Sequence, residues 1–273
     1  MTITVRKMFF DIENTMDPFF VDNDPEGVCF LNAISLVLPY LEPFLIKSFK
    51  RALPYVRDPK LKENMVLFNK QEAQHFKQHQ QYNEVICSHY PELAALEERL
   101  QQDYDAFLKD KDLKFNIGYC EGFEAITTGL SLAALDDGIC QRTTGAAGDM
   151  FRWHFMEEIE HRTVAFDVYQ NLFGGYFYRA KMSVFVLRHI GSFVMDAMSI
   201  MLKQDKERIA LEFGGKKGAK ERLKLFLRTE LGPFVRALLH PLRPAYSPYK
   251  IQIPEHILKL SEKYSAEAVE ILC

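Results

Sequence analysis

Apolar positions recur at helical spacing along most of the chain, and only the opening TITVRKMFF alternates in the manner of a strand. The following DPFFVDNDP is rich in Asp, Asn and Pro and favours turns, so residues 1–24 read as an arm laid over the body. Asp24-Pro25-Glu26 combines a capping acid, a proline suited to a first turn and an acid that meets the helix dipole. It predicts a long helix that stops before Pro54. Asp58-Pro59 repeats the signature and opens a second helix to about Ser88, after which Pro91 starts a polar, solvated connector helix. A third long helix is predicted from about Leu113 to Leu135, ending at Asp136-Asp137-Gly138. A fourth runs from about Gly148 to Leu172 and ends at Gly174-Gly175. Beyond it the pattern gives an apolar helix from about Tyr176 to Lys203, a basic loop at GGKKGAK, a helix to about Leu239 and a last helix from Pro254. The proline-rich HPLRPAYSPYKIQIP between the last two fits no regular helix.

Composition narrows the class. A chain of 273 residues that is 48% hydrophobic can bury a sizeable core. A net charge of −3 leaves no basic footprint for nucleic acid, so none is expected as a partner. Arg6, Lys7, Asp11 and Glu13 interrupt the first segment before it could serve as a leader, which predicts a cytoplasmic location. Lys181 to Leu202 is the most membrane-like stretch, but Arg188, His189 and Asp196 lie inside it, so a buried or interfacial helix is expected. A homodimer and a peripheral membrane contact are partners left open by such a helix. Cys29, Cys87, Cys120, Cys140 and Cys273 form no CxxC pair and are odd in number, which predicts reduced thiols.

The candidate chemistry lies on the four long helices. In QEAQHFKQH of the second helix, Glu72, His75 and His79 stand at i, i+3 and i+7, on one face at about 100° per residue. In WHFMEEIEH of the fourth, His154, Glu157, Glu158 and His161 form a similar stripe, while Glu160 points elsewhere. Each helix thus offers a Glu-x-x-His pair, Glu72 with His75 and Glu158 with His161. The first helix supplies Glu42 inside the apolar LVLPYLEPFLI, and the third supplies Glu121 and Glu124 in YCEGFEAITTGL. A carboxylate from each of two helices and a Glu-x-x-His from each of the other two is the donor set of di-iron and di-manganese bundles. The expected fold is therefore all-α: a ferritin-like four-helix bundle over residues 25–175, with additional C-terminal helices over residues 176–273 covering it. Surface ion pairs are the ordinary explanation for helical acids. The apolar and small neighbours of Glu42 and Glu121 argue against it, because buried unpaired carboxylates are costly without a cation.

The segments NAISLVLPYLEPFLIKSFKRA, QEAQHFKQHQQYN, YCEGFEAIT and WHFMEEIEHRTVAFDVY, in this order, resemble the bacterial family labelled "predicted metal-dependent hydrolase" over about residues 5 to 250. The resemblance implies a ferritin-like di-metal fold. The run from His154 through Glu157 and Glu158 to His161 is also similar to the arylamine N-oxygenases, which use one histidine beyond the usual set. Together these resemblances imply Glu42, Glu72, His75, Glu121, His154, Glu158 and His161 as metal ligands. The family's third-helix motif, Glu-His-aromatic-Thr, reads Glu121-Gly122-Phe123-Glu124 here, so Glu121 and Glu124 stand as alternatives. His79 and Glu157 are expected to orient imidazoles by hydrogen bonding, with ligation by either as the alternative.

The leading functional expectation is a di-iron oxidoreductase that activates dioxygen and acts on a small hydrophobic or aromatic substrate, with manganese or a mixed manganese–iron pair as other occupants. The alternative is a hydrolase in which two metals, zinc in this case, activate water. Non-catalytic iron binding is a third reading. Tyr40, Tyr82 and Tyr119 lie near the ligand positions and are expected to be core aromatics with satisfied hydroxyls.

Overall fold

The N-terminal signals read from the sequence are used in the structure, a computed structural model that describes residues 2–13, 16–21, 23–136, 138–228 and 232–272. Asp24 accepts from the N–H of Gly27 at 2.9 Å and opens α1, Pro25–Ala52. Asp58 caps α2, Pro59–His89, through the N–H groups of Lys60 and Leu61. The polar connector forms α3, Ala94–Asp110, and Asp112 caps α4, Leu113–Leu135, by accepting from Phe115 N at 2.7 Å. Asp137, part of the predicted stop of α4, lies outside the described residues, as does Cys273. Cys29, Cys87, Cys120 and Cys140 are free.

The predicted fourth helix is two helices, α5 at Gly145–His161 and α6 at Val164–Leu172. The break has a local cause: the carbonyl of Ile159, which a continuing helix would give to the N–H of Thr163, accepts instead from Arg162 Nη1 at 2.7 Å. The chain continues through α7, Tyr176–Gln204, α8, Lys206–Glu212, α9, Gly215–Phe226, α10, Gly232–Leu239, and α11, Glu255–Glu267. The basic GGKKGAK, read as a loop, is mostly the start of α9. Gly214, at φ +83°, takes the turn by itself, and the lysines after it are good helix formers.

The fold is an all-α helical bundle. α1 packs against α2, and α4 against α5 and α6, while α7 lies across α1 and α4, α10 on α4 and α11 on α5. Gly118 and Gly122, one turn apart on α4, admit α7 closely: a Cβ at Gly122 would sit 3.1 Å from the Ser183 backbone. The arm contributes β1, Arg6–Lys7, which pairs antiparallel with β2, Glu270–Ile271. Among the described residues, two helices are long and apolar enough to cross a membrane by length and composition. The apolar window of α1 is 72% buried, as a core helix requires, and that of α7 is 33% buried.

Candidate metal centre

Helical spacing places Glu72 and His75 of α2, and His154, Glu158 and His161 of α5, on faces that meet inside the bundle, all of them at most 2% exposed. Donor atoms of Glu42, His75 and His154 lie within 4.8 Å of one another, as do those of Glu72, Glu124 and His161, and those of Glu72, His75 and Glu158. Glu158 reaches in both directions: its Oε1 is 3.0 Å from His154 Nε2 and 3.5 Å from His75 Nδ1, and its Oε2 is 3.3 Å from His161 Nε2. Glu72 does likewise, with Oε1 3.4 Å from His161 Nε2 and Oε2 3.8 Å from His75 Nδ1. The geometry is that of two adjoining pockets of donors with Glu72 and Glu158 between them.

Glu121 is not brought into these groups. The third-helix acid that joins them is Glu124, whereas Glu121, one turn earlier, lies 3.5 Å from Arg179 Nη1 on α7. Burial, opposed by Arg179, pushes the Glu121 carboxyl up to about 7. Local spacing could not separate the two acids, because the approach of α7 over Gly122 decides which of them meets a cation from the chain itself.

His79 and Glu157, expected to orient imidazoles, each lie against one imidazole of the donor groups. Glu157 Oε2 lies 3.0 Å from His75 Nε2, which leaves His75 Nδ1 facing the acids. His79 Nε2 lies 2.7 Å from His154 Nδ1, and its Nδ1 lies 2.8 Å from Ser35 Oγ. Ser35 is held by Asn83, whose Nδ2 donates to the Ser35 carbonyl at 2.9 Å. That carbonyl is available because Pro39, four residues on in α1, has no N–H to give it. Ser35, Asn83 and Gln71 carry a weak sequence signal, since Asn83 shares a face with His79 and Gln71 adjoins Glu72. Arg6 carries none. It enters from the arm, fully buried, and donates to Glu157 Oε1 at 2.8 Å and to Glu160 Oε1 at 2.7 Å. The three tyrosines are engaged elsewhere: Tyr40 with Glu97, Tyr82 with Asn32, and Tyr119 with Tyr104 and His189.

The electrostatics of the bare side chains are unfavourable. Both carboxylate oxygens of Glu42, Glu72 and Glu124, Oε2 of Glu158, Nδ1 of His75 and Nε2 of His161 are buried with no hydrogen-bond partner. Burial, reinforced by Glu72 and Glu158, raises the Glu42 carboxyl well above the usual carboxylate range, and burial with Glu158 lifts Glu124 to about 8. Burial, aided by the charge on His75, lowers His154 to about 4, so its imidazole is neutral. For His75, burial pulls downward, but the hydrogen bond to Glu157 and the nearby charge of Glu72 prevail and raise it to about 9. Unit like charges about 4 Å apart repel by about 4 kcal/mol at an effective dielectric of about 20, and a divalent cation reverses the sign. Mixed imidazole and carboxylate donors suit such cations.

The chain belongs to the predicted metal-dependent hydrolase family. The model of that family matches residues 4–252, which takes in α1 to α10 and the arm residue Arg6. No curated protein and no solved structure matches the chain. Membership in the hydrolase family overturns the oxygen-activating di-iron oxidoreductase expected from the ligand pattern: the same donors serve water activation, and the family description names hydrolysis. The likeness of the His154 to His161 run to arylamine N-oxygenases therefore carries no function over, and the role foreseen for dioxygen goes with it. A metal ion as cofactor fits both the family and the buried histidine and glutamate groups.

Proposed function

We propose that the chain is a hydrolase that works with two divalent cations, one held by Glu42, His75 and His154 and the other by Glu72, Glu124 and His161, with Glu158 and Glu72 shared between them. The supporting observation is the set of buried carboxylate and imidazole atoms that lack any hydrogen bond and point toward one another. Ions bound there would polarise a carbonyl or phosphoryl oxygen and lower the pKa of water to near neutrality. The chain's own contribution is orientation and exclusion of water. Glu157 and His79 fix the rings of His75 and His154, and His154, neutral at working pH, offers its nitrogen without first losing a proton. Zinc and manganese both suit the mixed nitrogen and oxygen donors, and neither needs a redox change for this chemistry. The test is elemental analysis of purified protein followed by zinc or manganese reconstitution and assay on ester, amide and phosphoester panels. About two ions per chain and hydrolysis abolished by chelation are expected. Metal content near zero in folded protein would refute the reading.

A further inference from the structure

Between α1, α4, α5 and α7 lies an apolar cavity of about 220 Å³ whose wall includes His154. The wall extends from His154, 2% exposed, to Met195, 66% exposed, and so connects the metal centre with the surface of α7. Among the described residues that line it, the one polar side chain besides His154 is Thr127, whose Oγ1 already donates to the Phe123 carbonyl at 3.0 Å. Such a wall offers an occupant neither charge nor a free hydroxyl. An apolar cavity of about 150 Å³ accommodates a benzene ring, so this one takes a somewhat larger apolar group. Its shape favours a chain over a ring: the α7 side runs from Val186 to Met198, about 18 Å of helix.

Gly191 sits in the middle of that side, in one stripe with Leu187, Ile190, Val194, Met195 and Met198. Glycine weakens a helix, and the φ of Gly191 does not require it. What it leaves is room, because a Cβ built there meets no atom within 4 Å.

We propose, resting on the hydrolytic reading above, that this cavity receives the acyl chain of the substrate, that the substrates are carboxylic esters of medium-length aliphatic acids, and that Gly191 sets the chain length accepted. Among the described residues the wall has no cation, so the part of the substrate that fills it is uncharged, as an alkyl tail is. An acyl ester brings only a neutral carbonyl, whose carbon comes to lie beside His154 while the alkyl tail fills the cavity. In the reaction water adds its oxygen to the acyl carbon, the bond from that carbon to the alcohol oxygen breaks, the alcohol leaves with a proton, and the acid is released. No oxidant or reductant is consumed.

The experiment compares zinc-loaded wild type with Gly191→Phe on p-nitrophenyl acetate, hexanoate and decanoate, and measures octan-1-ol binding to both by calorimetry. Metal content and melting temperature serve as checks on folding. In wild type, kcat/KM is expected to rise about tenfold or more from acetate to hexanoate, and the Gly191→Phe protein, still metal-loaded, to lose that preference together with octanol binding. Octanol binding that is absent in wild type, or unchanged by Gly191→Phe, overturns the acyl-chain site whatever the activity. Octanol binding that Gly191→Phe removes, in a protein that cleaves none of the esters, supports the apolar site and counts against the hydrolytic reading alone. Hydrolysis of all three esters at equal rates sinks the chain-length role and leaves hydrolysis standing. Should Gly191→Phe fail to fold, Gly191→Leu repeats the measurement with a smaller side chain.

Discussion

The two halves of the metal centre are supported in different ways. Around His161 the support is charged and long-range: its Nδ1 lies 3.1 Å from Gln71 Oε1, Gln71 Nε2 donates to Glu160 at 3.0 Å, and Glu160 is held by Arg6 from the arm. Around His154 the support is uncharged, a relay through His79 to Ser35, and the far side of the ring faces an apolar cavity. The ring of His161 is braced on several sides while that of His154 has protein on one side and space on the other, although Arg6 also reaches the His154 half through Glu157 and His75. On the proposed reading, the centre would hold its ions chiefly from the His161 side and meet its substrate from the His154 side. It follows that disturbance of the first half should appear as lost metal or lost stability, and disturbance of the second as altered turnover.

The largest effect should come from Glu158, the residue common to both halves. Glu158→Ala is expected to lose both ions, read as metal per chain after gel filtration, and retention of a full complement would show that the halves do not share it. Next comes Arg6. Removing one partner from a buried ionic cluster leaves the others uncompensated, so Arg6→Met should destabilise the protein by about 3–5 kcal/mol in denaturant titrations. A loss under about 1 kcal/mol would mean that the brace is not what holds the His161 half.

Metal-free protein should show a pH dependence that loaded protein lacks. Glu124 is raised from 4.5 to about 8 and His75 from 6.5 to about 9, so for both the folded state binds protons more tightly than the unfolded chain. Stability from these groups is complete below their unfolded values and declines as pH rises through the folded ones. Below pH 6.5 the lowered His154 opposes this trend, so the melting temperature of chelated protein should fall most clearly between pH 6.5 and about 9, and metal should flatten the curve. A chelated protein equally stable across that window would contradict the repulsion inferred from the buried acids. The smallest change in metal content should come from His154→Ala, expected to keep the ion of the His161 half and to lose most turnover. Loss of both ions would erase the distinction between the halves.

How far these features were legible depends on their range. Caps at Asp24, Asp58 and Asp112 and the stripe from His154 to His161 are local patterns, and they survive in three dimensions because a helix carries its periodicity with it. The choice of Glu124 over Glu121, the break after His161 and the insertion of Arg6 depend on Arg179, Arg162 and an arm remote in sequence. Each is decided by a guanidinium whose partner lies beyond any short window or competes with the helix for one carbonyl. The direction of catalysis was equally invisible in spacing, because carboxylates and imidazoles that bind two cations serve hydrolysis and oxygen chemistry alike.

The contacts of Arg6 also order events in time. Besides the two acids of α5, its guanidinium meets Ser261 and Ser265 of α11, the latter 259 residues away in sequence. During synthesis the helices that carry the acids emerge long before α11 does, so the nascent bundle holds those acids together while the seat for Arg6 is still missing. Closing contacts of such separation is slow, so the seat for Arg6 is expected to complete late in folding. A cation supplied early would give the half-finished bundle a counter-charge while that seat forms.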